Sequence, residues 1–336
     1  MTVQDRPTRI SRPSTLLWNL ARFREAGISL FILLLIAIVT LRNPAFLRAD
    51  NFEDILLNIS ILAIVALGQT IVILTRGIDL SVSSMIGLVA MMVAFVVKQN
   101  QGISIPLVVL LGMLLGAVLG IFNSLIITYG KVPPIIATLG TLSVYRGLVF
   151  YYSQGTWINS FELPSSFKLL SKGTPLGLPN MVLIAILVAI IVYYFLNYTR
   201  TGREIYAVGS NPDAAQFAGI QKDRIIFLVY LLSGIASGLA AVLWASRFES
   251  AQTNTALGFE LQTVAAAVVG GVSISGGVGT VPGVLLGALL LGVIQNALTI
   301  VRISPFWQLA AQGLLILIAV VTDKWVLGRV GRTAQT

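Results

Sequence analysis

Few side chains in this sequence could do chemistry, and most of those lie inside apolar runs. Asp79 and Arg146 are ionisable; Asn58, Gln69, Asn123, Thr141, Gln295 and Asn296 are neutral hydrogen-bonding groups. Polar groups inside a membrane are costly, and they either mark a transport path or tie helices together. The neutral groups suit passing contact with a hydroxylated solute, which a path must hold weakly enough to release. They serve equally as interhelical hydrogen bonds. Asp79, at the edge of its run, either lines or gates a path or caps the following helix with Ser81. Arg146, in mid-run, either lines a path or joins helices, or snorkels its head to the interface. The chain has no histidine and no cysteine, and its carboxylates do not cluster. Thiol catalysis, disulfides and the usual zinc or haem ligands are therefore excluded, and a membrane-embedded enzyme has almost nothing to work with. We expect no catalytic residue, no metal and no cofactor.

A second chemistry-bearing segment is polar. Asn211-Pro212-Asp213 supplies a capping side chain, a proline for the first turn and an acid at the positive end of a helix dipole. Gly219 suits the left-handed position that ends a helix. The spacing predicts one short helix, Pro212–Ala218, within a polar loop 199–224 that also carries Arg203.

These groups need long apolar elements to hold them. Of 336 residues, 56% are hydrophobic and 10% charged, against about a quarter charged in soluble domains. Such a surface must face lipid. A span needs roughly 20 apolar residues, which gives about ten candidates: 27–41, 54–74, 82–98, 105–128, 135–152, 181–198, 225–246, 259–274, 281–300 and 306–322. The chain thus reads as an all-α polytopic membrane protein. It divides into a leader 1–26, a transmembrane domain 27–323 and a tail 324–336. The segment after the first run, Leu41-Arg42-Asn43-Pro44, lacks small-residue cleavage chemistry, so that run reads as an uncleaved span.

The net charge of +9 is an orientation signal rather than a nucleic-acid patch, because the basic residues sit between spans. With the N-terminus inside, inward segments (Arg76, Lys131, Arg203, Lys222 and Arg224 among them) hold twice as many basic residues as outward ones. Both termini are then cytoplasmic. Loop 153–180 faces outward and carries Trp157, Glu162, Lys168 and a stretch, Phe161–Leu170, that suits a short interfacial helix. Trp157, Trp307 and Trp325 suit interface anchors. Outward Arg48, Arg247 and Arg302 either meet acidic groups on a docking protein or remain solvated. Gly112, Gly116 and Gly120 form a small-residue face for close packing, as do Ser233, Ser237 and Ala241. The segments Gly77–Gly87 and Gly277–Gly287 match in their glycines; this is either an internal repeat of the kind common in transporters or a chance match in a glycine-rich chain.

Asp213-Ala-Ala-x-x-x-Gly219 resembles the E-A-A-x-x-x-G loop by which permeases of ABC importers dock onto their ATPase, with Asp in place of Glu and without the downstream proline of the longer motif. Four further runs extend the likeness over nearly the whole chain beyond the leader: Thr75-Arg-Gly-Ile-Asp-Leu-Ser-Val, Ile136-Ala-Thr-Leu-Gly-Thr-Leu-x-x-Tyr-Arg-Gly, Thr201-Gly-Arg-x-x-Tyr-Ala-x-Gly-x-Asn and Ala265-Ala-x-Val-x-Gly-Gly-x-Ser. They resemble the monosaccharide branch of ABC importer permeases, which includes ribose, xylose, rhamnose and autoinducer-2 systems. Tyr145-Arg146-Gly147 and Gly155-Thr-Trp-Ile look closer to the autoinducer-2 and rhamnose subgroups. The resemblance implies a type II-like permease bundle, an ATPase subunit, an extracytoplasmic solute-binding protein and a second permease copy or paralogue. It also makes Arg203, Asn211, Asp213, Ala214, Ala215 and Gly219 the ATPase-coupling residues. No G-x-x-x-x-G-K-[ST] phosphate loop occurs, so ATP hydrolysis falls to another polypeptide. An ion-coupled secondary transporter is the competing reading, and Asp79 is its one convincing acidic site.

Overall fold

Prolines, glycines and short polar caps set where the chain changes direction. The computed structural model describes residues 15–302 together with Trp307, Ala310, Gly313, Leu314 and Leu317, with side chains from Glu25 onward. Most of the expected leader, the span at 306–322 apart from those five positions, Trp325 and the tail 324–336 lie outside the described residues.

The described chain forms α1 (Thr15–Arg42), α2 (Ala49–Leu74), α3 (Val82–Gln99), α4 (Ile105–Thr128), α5 (Pro134–Ser153) and α6 (Ser165–Lys172). It continues through α7 (Asn180–Tyr198), α8 (Arg200–Ser210), α9 (Pro212–Phe217), α10 (Lys222–Phe248), α11 (Phe259–Val269) and α12 (Val281–Ile300). Prolines occupy the first turn of α4, α5, α9 and α12, where the missing N–H is harmless. Among the described residues, eight helices are long and apolar enough to cross a membrane: α1, α2, α3, α4, α5, α7, α10 and α12. The first helix begins at Thr15, within the expected leader, and its apolar span, Glu25–Arg42, agrees with the expected 27–41. The expected short helix of the outward loop forms as α6, slightly later than 161–170, after a 3-10 turn at Ser160–Glu162.

α2 is the hub, with every residue from Ser60 to Leu74 buried, as befits a helix that is apolar all round. The outer helices turn Leu33, Leu114, Ile136 and Leu187 outward, each more than half exposed, which is the surface lipid requires. α4 and α10 meet backbone to backbone. A Cβ on Gly116 would lie 2.2 Å from the Gly234 carbonyl, and one on Gly238 would lie 2.2 Å from that of Gly112. Gly234 and Gly238 form this contact beside the expected small-residue face, whose Ser233, Ser237 and Ala241 are fully buried, with Ser233 Cα 3.4 Å from where a Cβ on Gly68 of α2 would stand. Glycine allows closer approach, and Ser233 instead donates to Asp79 at 3.1 Å.

The main departure from expectation is the segment 259–274. It is no span: α11 has 11 residues, about 16 Å at 1.5 Å per residue. Gly270 ends it where a Cβ would lie 2.4 Å from the Gly283 carbonyl of α12, and Gly271 follows at φ +106°. Close packing on α12 and a reversal of the chain therefore fix its length, and hydropathy does not.

The ion pairs between distant segments of the chain lie at the two ends of the bundle, whereas Asp79, Arg146 and Glu260 lie within it. One end carries the Lys131–Asp223 pair at 2.7 Å and the Thr280–Glu25 hydrogen bond at 3.0 Å. The other carries pairs between Lys98 and Glu162, Lys172 and Glu249, and Arg247 and Asp54.

Candidate functional site

At the first end, α8 lies flat and tight against the bundle. Thr199 caps it by accepting from the Gly202 N–H at 3.0 Å, and its buried side presents Gly202, Ile205, Val208 and Gly209. Asn211 then caps α9, its Oδ1 accepting the Ala214 N–H at 3.0 Å. The helix closes as its residues dictate. Ile220 N–H donates to the Ala215 carbonyl, Gly219 N–H donates to that of Gln216, both at 3.0 Å, and Gly219 sits at φ +83°. These paired bonds around a left-handed glycine are the Schellman closure. Ala215 is buried against the bundle, whereas Asn211, Asp213, Ala214 and Gly219 are exposed. Arg203 is exposed on α8.

Two residues here escaped sequence reasoning. Phe217, the last residue of α9, is 94% exposed. Arg76, just beyond α2, adopts φ +67° and donates from Nε to the Gly209 carbonyl at 2.6 Å and from Nη2 to that of Ser210 at 2.7 Å. It satisfies the open C-terminal carbonyls of α8 and ties that helix to the end of α2. The segment 270–280 joins the same knot: Gly277 N–H donates to the Leu74 carbonyl at 2.9 Å, and Tyr206 Oη donates to that of Gly279 at 2.8 Å. Gly276 and Gly277 are left-handed, at φ +82° and +73°. A Cβ on Gly209 would stand 1.7 Å from the Leu74 carbonyl. The one signal available in the sequence was an isolated arginine directly after a long apolar run.

Asp79 is fully buried in the turn between α2 and α3. Its Oδ1 accepts from Ser81 N–H at 3.0 Å and Ser81 Oγ at 2.6 Å, and its Oδ2 accepts from Ser233. With its amide nitrogen facing the Asp79 carbonyl and its oxygen facing the Asp79 N–H, the orientation that satisfies both, Gln69 bonds both backbone groups of Asp79 at 3.1 Å. Asn123 donates to Ser81 Oγ at 2.8 Å and accepts from Tyr145 Oη at 3.1 Å. Thr138 donates to the Ile78 carbonyl at 3.1 Å, and Thr141 is buried one turn further along α5. Gln69, Asp79 and Asn123 thus belong to one network that holds an irregular backbone segment, as buried polar groups require.

The other four intramembrane candidates lie elsewhere. Arg146 donates from Nη1 to the carbonyls of Thr253 and Thr255, at 3.0 and 2.9 Å. Asn58 is exposed on α2. Gln295 approaches Gln262 at 3.4 Å, and Asn296 donates to Asn51 at 2.8 Å.

At the second end, Arg48 is 72% exposed beside Asp50, Arg247 is engaged with Asp54, and Arg302 is exposed at φ +60°. Trp157 is half exposed in the loop after α5, and Trp307 is largely exposed. Glu249 anchors the 160–172 segment. Bonds from Lys172, then Ser160 and Lys168, depress its carboxyl to about 2. A depressed carboxylate contributes stability that is complete above its ordinary value of 4.5 and is lost as pH falls towards 2. The pair is part-exposed, so the contribution is on the order of 2 kcal/mol. We expect the thermal midpoint of the purified protein to fall between pH 6 and pH 3, with a clearly smaller fall in Glu249→Gln; an unchanged fall would place the effect at other carboxylates.

Comparison with known proteins bears on this arrangement. The family described as branched-chain amino acid transport system / permease component matches residues 51–320. The ribose import permease protein of Bacillus subtilis is 39% identical over 301 residues, 90% of this chain and 93% of the relative. The autoinducer 2 import system permease protein of an Enterobacter species is 36% identical over 305 residues, covering 91% and 88%. The galactose/methyl galactoside import permease protein of Escherichia coli is 36% identical over 321 residues, covering 90% and 95%. Overall identity therefore does not favour the autoinducer-2 subgroup over the ribose one. No solved structure matches the chain significantly.

Proposed function

The chain belongs to the branched-chain amino acid transport system / permease component family, and from that premise we propose that it is the membrane-spanning subunit of an ABC importer for a monosaccharide-like solute. It is a multi-pass protein of the bacterial cytoplasmic membrane and a transport subunit rather than an enzyme. The relatives are named for ribose, autoinducer 2 and galactose, and a solute of that kind, of ribose, rhamnose or autoinducer-2 type, delivered by an extracytoplasmic binding protein, is the cargo of this reading.

The observation that carries the proposal is α9, a capped helix standing on the bundle end with Phe217 and Asp213 exposed and Arg76 pinning its base. A separate ATPase subunit receives this helix; Arg203, Asn211, Asp213, Ala214, Ala215 and Gly219 shape the contact. Nucleotide-driven movement of α8 and α9 then passes to the α2 end and to segment 270–280, rocking the bundle. A second copy or a paralogue completes the path. Positive charge favours the α9 end, and with it both termini, on the cytoplasmic side. At the far end, Arg48 and Arg302 are exposed cations with room to meet the binding protein.

Reconstitution tests the reading. Vesicles holding this chain with its ATPase and binding protein accumulate solute when supplied with ATP, and ionophores leave uptake unchanged. Accumulation by the chain alone, collapsing with an ionophore, would instead establish ion-coupled transport.

A further inference from the structure

The residues between α10 and α11 re-enter the bundle from the end opposite α9. The chain leaves that end at Ala251, which pairs with Ile158 in an isolated antiparallel bridge, at 3.0 and 3.1 Å. Four residues later, the Thr255 carbonyl lies 3.2 Å from where a Cβ on Gly87 would stand. Gly87 is about 18 Å along α3 from its end at Gln99, at 1.5 Å per residue. The opposite direction agrees: Ala266 packs on Gly287, about 9 Å from the start of α12. α11 thus begins near the middle of the membrane and occupies the half next to α9.

Irregular backbone at that depth survives only if buried in protein or facing a water-filled cavity. Part of this segment is buried and fastened. Thr253 and Thr255 are nearly inaccessible, and their carbonyls accept from Arg146. Ala256 and Gly258 are left-handed, at φ +58° and +80°, conformations that persist where the surroundings over-determine them. The remainder is exposed: Asn254 faces out, and Leu257 is 70% exposed. α11 packs against α2, which carries exposed Asn58, and its part-exposed Gln262 approaches Gln295 on α12. A mid-membrane face bearing asparagine, glutamine and open backbone is ill-suited to lipid.

We propose that the re-entrant segment 250–258, fastened at mid-depth by Arg146, lines the aqueous path and presents Asn254 to the small hydroxylated solute passing through it. The inference rests on the importer reading and assigns its path. Arg146 is a positioning residue that acts through the two threonine carbonyls, one step behind the solute.

The chain contains no cysteine, so single thiols can be read without background. Asn254→Cys and Leu257→Cys, each assembled with the ATPase subunit in proteoliposomes, are exposed to a water-soluble, membrane-impermeant cationic methanethiosulfonate. Leu187→Cys on the outer face of α7 is the lipid-facing control. We expect Asn254→Cys to react at least tenfold faster than the control, and Leu257→Cys to decide the matter if the first variant does not assemble. Adding Arg146→Met should raise the Asn254→Cys rate about fivefold, by freeing the segment. A rate equal to the control would overturn the assignment in favour of lipid or a subunit seam. A rate that stays or falls with Arg146→Met would overturn the role of Arg146. Labelling requires neither ATP nor an identified solute, so the importer reading can fail through absent ATP-driven uptake while the path assignment stands or falls separately.

Discussion

Gly219→Asp leaves the protein inserted in the membrane but reduces ATP-driven uptake by at least a hundredfold. Gly219 stands at φ +83°, with open space where a Cβ would go. The substitution therefore causes no clash, and the membrane bundle is untouched. What changes is the closure of α9. An L-residue in the left-handed region costs about 1–2 kcal/mol, enough to shift a six-residue helix that has only its cap and its closure to hold it. The new carboxylate also lies at the negative end of the helix dipole, where a cation would be favoured. Both effects act on the surface that carries Asp213 and Phe217. Gly219→Asn, which tolerates positive φ and adds no charge, should recover most of the uptake. The measurement is solute accumulation at matched membrane protein levels; wild-type uptake by Gly219→Asp would remove α9 from the coupling role.

Arg76→Ala separates hydrolysis from transport. Its guanidinium makes two bonds to the α8 carbonyls, and hydrogen bonds from a charged donor are each worth about 1.5–3 kcal/mol. Losing both frees the α8 end from α2 and exposes the Gly209 and Ser210 carbonyls to other partners. The complex should still assemble, because α9 and its exposed residues are unchanged. ATP hydrolysis should continue, while solute moved per ATP falls roughly tenfold. Arg76→Lys, retaining one charged donor, should be intermediate. Gly209→Ala attacks the same knot from the other side, since its Cβ cannot coexist with the Leu74 carbonyl at 1.7 Å, and should give the same uncoupling. Parallel loss of hydrolysis and transport in Arg76→Ala would show a general loosening instead.

The outcome for particular residues shows where sequence reasoning reached. The helix starting at Pro212 was legible because every determinant, the Asn211 cap, the proline and the closing glycine, lies within nine consecutive residues. The glycine face of α4 was legible for the same reason, being a repeat on one helix. The sequence did not say which residues of α10 meet it: Ser233, Gly234, Ser237 and Gly238 all qualify as small, and only the packed structure assigns Gly234 and Gly238 to α4 and Ser233 to α2. Arg247 reads as free for docking until Asp54, far away in sequence, is found beside it. Gln69, Asp79 and Asn123 read as separate polar intrusions, and their hydrogen bonds join them into one support for the turn after α2.

Taken alone, the sequence determined that this is a multi-pass membrane protein, where most of its helices run, and which loop carries the exposed capped helix. Those properties follow from hydropathy and capping, which act over one to two helical turns or along a single apolar run. The tertiary structure decided that α11 is too short to span and ends against the start of α12, that Arg146 fastens the backbone between α10 and α11, and that Arg76 joins α8 to the end of α2. Each of these rests on contacts between residues more than a hundred positions apart or on glycines pressed against another helix, and no local pattern of residues encodes which distant carbonyl a guanidinium will meet.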